Sequence, residues 1–292
     1  MEKGSAHSIS HLIRLMDDRD EFVRSRVRDR LIQWGEDALP FLEIIANDEA
    51  STRRLIAREI IQAILPRRLE NKFRRLAASA REGDIDLESG VLLLMEFGYP
   101  QADPQEVRST LDRLAEDCSH RVSPKDSPPA AAEALSRFLF HEKGFAGNTT
   151  NFLDPDNSYF NRVLRRKIGI PITLSALCLF VAKRLELPIV GVGLPGHYIV
   201  KYDSLAHPVY FDPYHKGRVL TREDCVRRVT SLGHRFEEHH LSQSTHRETL
   251  VRMMNNLIMI YKQDRKTEKS RQLSEFVHIL LDAPRNFTAQ ST

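Results

Sequence analysis

Apolar residues recur at helical spacing from the start of the chain. Ile13, Met16, Val23, Val27, Leu31, Leu39, Leu42 and Ile45 follow the three-to-four-residue rhythm of a helix face. Gly35 and Pro40 interrupt that rhythm where one helix stops and the next begins, so residues 8–82 read as helical throughout. The amphipathic pattern continues from Asp86 to Val122, broken at Gly98-Tyr99-Pro100. SPKDSPP (123–129) has the composition of a loop, and a helix follows through Ala131 to Phe140. A second irregular stretch, GFAGNTTNFLDPDNSYF (144–160), is longer than a compact domain usually carries without a functional reason. IPITLSALCLFVAKRL (170–185) is apolar on nearly every face, the pattern of a helix buried on all sides. After Leu187 the period shortens: IVGVGL, HYIVKY and VYFDPY read as strands, the last two joined through Asp203-Ser204 and His207-Pro208. From His246 to Asn286 the helical rhythm returns. Leu250, Met253, Met254, Leu257, Ile260 and Tyr261 form one stripe, and Leu273, Phe276, Val277 and Leu280 another, ending at Asp282-Ala283-Pro284. A buried helix followed by an antiparallel sheet, with helices on either side, predicts an α+β architecture.

Composition narrows the function classes. Of 292 residues, 41% are hydrophobic and 28% charged, and the net charge is +3, as in an ordinary globular protein. Nucleic acid or an anionic membrane surface would demand many clustered cations, so neither is expected as a partner. The chain opens MEKGSAHSIS without an apolar stretch, and no window approaches a membrane span, which points to the cytoplasm. Three cysteines, with no CxxC pair, argue against a disulfide framework and a structural zinc site. GHRFEEHH (233–240) lacks fixed ligand spacing, so no metal and no cofactor are expected. The oligomeric state has no signature.

His197 follows Pro195-Gly196 at the head of an alternating strand, sharing a face with Ile199 and Lys201. If HYIVKY and VYFDP pair as a hairpin, Asp212 falls opposite Ile199 and diagonally near His197, within reach of orienting the imidazole. The same spacing also fits a surface histidine and an aspartate that merely starts a turn before Pro213.

The text NFLDPDNSYFNRVLRRKIGIPITLSALCLFVAKRLELPIVGVGLPGHYIVKY, followed by YFDPYHKGRVLTREDC, resembles the SirB-one family of transglutaminase-like bacterial proteins. LIRLMDDRDEFVRSRVRDRLIQWGEDALPFLEII resembles one HEAT repeat, and the two C-terminal stripes resemble a tetratricopeptide helix pair. The resemblance implies a papain/transglutaminase-like core over 69–242, HEAT-like helices over 1–68 and a tetratricopeptide-like pair over 243–292. It also implies a His197–Asp212 acid–base pair, and a nucleophilic cysteine at the start of the buried helix. There, Gly169-Ile170-Pro171 stands where Gly-x-Cys belongs, so Pro171 occupies the nucleophile position. Thr173 and Ser175 carry nearby hydroxyls and are the tentative substitutes, against a capping role for one of them. Cys178, two turns in, lies on a buried stripe and reads as inert, and Cys225 reads as packing inward.

Two functions follow. One is a non-catalytic module that binds a protein or peptide, with Asn151, Asp154, Asn157, Tyr159 and His215 contributing to the surface. The other is an acyl-transfer enzyme of the peptidase, amidase or transglutaminase type, with a displaced Ser, Thr or Cys nucleophile. A helical adaptor with the middle domain as spacer is a third.

Overall fold

A computed structural model describes residues 5–80, 83–122 and 127–282. The stretch 123–126 of the expected loop, and the Ala283-Pro284 stop, lie outside the described residues. The chain divides into two compact units, Met1–Arg75 and Leu76–Thr292.

The first unit is helical: α1 (Ala6–Arg14), α2 (Glu21–Trp34), α3 (Leu39–Asn47) and α4 (Arg54–Ala78). Ser5 and Asp20 cap α1 and α2 by accepting the Ser8 and Phe22 N–H groups, and Gly35 ends α2 at φ 56°, which a Cβ would disfavour. Ile9, Ile13, Met16, Val27, Leu31, Leu42 and Ile60 meet in its core. Burying such a side chain contributes about 1.5–3 kcal/mol.

The second unit opens with α5 (Leu87–Gly98), α6 (Pro104–Ser119) and α7 (Pro128–Ser136), the last widening into a π-helical turn over Arg137–Glu142. Next come β1 (Ala146–Gly147), α8 (Phe160–Arg166), β2 (Ile168–Gly169) and α9 (Pro171–Arg184). β3 (Ile189–Val192), β4 (Ile199–Tyr202), β5 (Val209–Asp212) and β6 (Arg218–Leu220) form an antiparallel meander in that order, while β1 and β2 pair in parallel. α10 (Arg222–Ser231), α11 (His246–Gln263) and α12 (Thr267–Asp282) complete it. The architecture is α+β, as the sequence pattern predicts. No helix among the described residues is long and apolar enough to cross a membrane.

α9 organises the unit. Every residue from Pro171 to Ala182 is buried, and the helix packs against α6, β3 and β4. Only its last turn reaches charge: Arg184 pairs with Glu88 at 2.8 Å and Asp112 at 2.6 Å. α11 and α12 pack on each other, and α11 also rests on α5 and α9. The approach is close enough that a Cβ on Gly90 would lie 2.4 Å from Leu250 Cδ2. A lone helix pair cannot bury both its stripes, and this one covers the surplus against α5 and α9.

Candidate functional site

The β4–β5 hairpin fixes the site. Its register pairs Val200 with Phe211, so the next step places Ile199 beside Asp212 and leaves His197 diagonal to it. Pro195-Gly196 turns the chain just before, with Gly196 at φ 64°, and the His197 N–H donates to the Leu194 carbonyl at 3.1 Å. From α11, the Arg252 guanidinium donates to the carbonyls of Leu194 and His197, both at 2.6 Å, clamping the two ends of that turn. The Tyr198 and Thr249 hydroxyls bond at 2.7 Å. α11 therefore anchors the backbone that carries the histidine.

His197 Nε2 lies 2.7 Å from Asp212 Oδ2, with the two residues 3% and 1% exposed. Asp212 ends β5 and caps the short turn Pro213–His215: its Oδ1 accepts the Tyr214 and His215 N–H groups at 3.0 and 3.3 Å. Its Oδ2 also accepts His215 Nδ1 at 2.7 Å. Burial is the largest influence on both groups of the buried pair. It pushes the His197 pKa below its ordinary value, outweighing the attraction of Asp212. For Asp212, burial alone would raise the pKa, but the bonds and charge of His197 and His215 together win, and it is lowered. At neutral pH the pair is thus an ionised carboxylate and a neutral imidazole. A carboxylate only accepts, so His197 carries its proton on Nε2 and keeps a lone pair on Nδ1. Among the described residues Nδ1 makes no hydrogen bond.

Tyr214 packs edge-on against His197 (6.2 Å between ring centres), His215 (5.1 Å) and Phe152 (6.2 Å), and its hydroxyl donates to the Asn148 carbonyl at 2.7 Å. β1 must end in glycine here, because a Cβ on Gly147 would stand 2.5 Å from the Tyr214 ring. The 148–159 loop is sewn from inside. Asn148 Nδ2 donates to Asn157 Oδ1 at 3.0 Å, and Asn157 Nδ2 donates to the Asn151 carbonyl at 2.8 Å.

α9 packs against the Pro213–His215 turn, and Pro171 is buried at its first position, where its missing N–H is not needed. The Thr173 hydroxyl accepts the Ile170 N–H at 3.1 Å and donates to the Asn157 carbonyl at 2.8 Å, so it caps the helix and holds the loop. Ser175 is fully buried with its hydroxyl 3.5 Å from the Tyr198 carbonyl, a long contact. Neither hydroxyl is hydrogen-bonded to His197. All three thiols are buried, and burial pushes Cys118 up to about 12, Cys225 up to about 11 and Cys178 higher still. None supplies thiolate at neutral pH.

The expected binding residues divide. Asn151 is exposed, and the His215 side chain is 49% exposed beside the pair. Asp154 accepts the Asp156 N–H at 2.9 Å and pairs with Arg166 at 2.8 Å. Asn157 and Tyr159, read from sequence as part of a binding surface, are instead buried. Asn157 holds the loop, and the Tyr159 hydroxyl bonds Tyr261 at 2.5 Å while its ring meets Tyr99 edge-on. Exposure falls on Phe152 and Leu153, 44% and 43%, which polarity-led reading passes over. Tyr214 also adjoins the pair, and sequence reading does not single it out, although an aromatic two residues after Asp212 is a usable signal. His197 Nε2, Asp212 Oδ2 and His215 Nδ1 lie within 4.8 Å of one another, as metal ligands would.

Comparison with known proteins bears on the family and the fold. A family model described as the transglutaminase-like superfamily matches residues 105–255. A UPF0162 protein of Xylella fastidiosa is 29% identical over 204 residues, covering 68% of this chain and 73% of the relative. Protein SirB1 of Salmonella typhimurium is 24% identical over 190 residues, covering 64% and 70%. F-box only protein 21 of Mus musculus is 28% identical over 140 residues, covering 45% of this chain and 22% of that protein. No solved structure matches the chain.

Proposed function

Because this chain belongs to the transglutaminase-like superfamily yet starts its buried helix with proline, we propose that the surface around His215 and Phe152 holds a protein or peptide segment without covalent chemistry. One observation carries this reading. Among the described residues no Ser, Thr or Cys side chain is hydrogen-bonded to the free face of His197, and the two hydroxyls of α9 are buried in packing. Phe152 and Tyr214 supply apolar surface beside the imidazole, and Asn151 supplies polar groups at the loop. In this reading residues 1–68 are HEAT-like helices, 69–242 the core and 243–292 a tetratricopeptide-like pair. We place the protein in the cytoplasm, where its three cysteines would stay reduced.

The test is labelling with thiol- and hydroxyl-directed acylating probes, comparing wild type with His197→Ala. Equal labelling of the two supports the binding reading. Labelling that needs His197 would overturn it and favour an acyl-transfer enzyme. That second reading rests on the retained pair at 2.7 Å, whose Nδ1 lone pair has the disposition of a general base.

A further inference from the structure

Two imidazoles converge on a single carboxylate oxygen at the end of β5, and orienting one histidine requires only one of those bonds. Asp212 Oδ2 receives both His197 Nε2 and His215 Nδ1 at 2.7 Å. We propose that His197, Asp212 and His215 form a site for a divalent transition-metal ion of the zinc class, bound through Nε2, Oδ2 and Nδ1. The proposal holds whether or not the neighbouring surface also takes a peptide.

The donor set argues for the ion. Two imidazole nitrogens with one carboxylate oxygen suit zinc, whereas calcium and magnesium take oxygen ligands almost exclusively. Around a tetrahedral zinc ion, neighbouring ligand atoms stand about 3.3 Å apart. The present 2.7 Å contacts must therefore open by a few tenths of an ångström. His215 is the ligand able to move, since it is half exposed in a short turn while His197 and Asp212 are held by burial.

The surroundings orient the ligands. Asp212 Oδ1 is held by two backbone N–H groups, which keeps Oδ2 turned to the rings, and Tyr214 lies edge-on against both imidazoles. The protons balance without a co-reactant. Each ring gives the metal the lone pair of the nitrogen facing Asp212, and the proton from that nitrogen moves to the other ring nitrogen. His197 Nδ1 then carries a hydrogen and ceases to be a base. A metal-loaded site and a general-base site are thus mutually exclusive states of the same imidazole.

Calorimetric titration of the untagged full chain with Zn2+ alone is the test, with Co2+ absorption as a second readout of coordination. One ion per chain is expected, with affinity falling by more than the roughly 100-fold upper cost of losing an outer-shell partner in His215→Ala, a direct ligand, and unchanged in His239→Ala, an exposed histidine outside the cluster. Circular dichroism checks that the variants fold. Binding that His215→Ala leaves intact, or that His239→Ala removes equally, overturns the site, as does a stoichiometry well below one. Co2+ bands of a four-coordinate nitrogen/oxygen site, lost in Asp212→Asn, support it; an octahedral spectrum identical in wild type and variant overturns it. Acyl labelling that depends on His197 would sink the binding reading above while leaving this titration untouched, so the two fail separately.

Discussion

α9 packs against the turn that follows β5, yet the start of the helix and the end of the strand are built by opposite rules. At α9 each polar atom is absorbed into packing: Pro171 has none to offer, Thr173 bridges Ile170 and Asn157, and Ser175 is sealed against Tyr198. At β5 the polar atoms are gathered and partly kept available. Asp212 collects two imidazoles and two backbone N–H groups, one ring stands half exposed, and His197 Nδ1 keeps its lone pair. A scaffold that needed only stability would have no use for the second arrangement, because burying an aspartate costs free energy that apolar packing does not. A catalyst of the thiol type would have no use for the first. The contrast is what favours recognition, or metal binding, over acyl transfer.

The comparison breaks most visibly at Asp212. Asp212→Ala removes the acceptor of four hydrogen bonds and leaves buried donors unpaired, so a loss of about 3 kcal/mol is expected. Urea denaturation measures it, and a loss below about 1 kcal/mol would mean the cluster is not a supporting element. Thr173→Val, at the other region, is expected to cost about 1–2 kcal/mol, since one hydroxyl joins the helix start to the loop.

A pH series sharpens the same contrast. His197 is held below its ordinary value of 6.5 and Asp212 below 3.8. In both cases the unfolded chain binds the proton more readily, so stability is fully present above the unfolded pKa and is lost as pH falls. Within this pair, the loss that begins below about 6.5 belongs to His197, and below about 3.8 Asp212 joins it. Stability of wild type should therefore drop on acidification from pH 7 to 5, and His197→Gln should flatten that part of the curve. Parallel curves for the two proteins would assign the acid sensitivity to other groups.

Long-period signals were readable in the sequence and short or three-dimensional ones were not. The stripes of α1 to α3, α11 and α12, the all-apolar α9, and strands β3 to β5 all carry a repeat long enough to recognise, and the hairpin register follows from it. β1 and β2 have two residues each, too few for any period, and β6 has three behind Gly217. The π-turn after α7 continues a helical pattern without announcing its wider hydrogen bonding. In the site, His197 and Asp212 could be paired by counting along two strands. The burial of Asn157 and Tyr159 could not, because both are polar residues in a polar loop whose partners, Thr173 and Tyr261, come from distant segments. Nor does spacing reveal that His215 turns back onto the oxygen already holding His197.

The smallest change in stability is expected at Ser175, and it is the most informative for function. Its hydroxyl makes one contact at 3.5 Å, so Ser175→Ala removes little hydrogen bonding and leaves a residue of nearly the same volume. A change within about 1 kcal/mol is expected. If the helix start is purely structural, acyl-probe labelling and peptide capture should both match wild type. A variant that folds with wild-type stability yet loses His197-dependent labelling would identify Ser175 as a nucleophile. The two regions would then be halves of one working active site, and the difference in how they are built would reflect a closed state rather than a lost reaction.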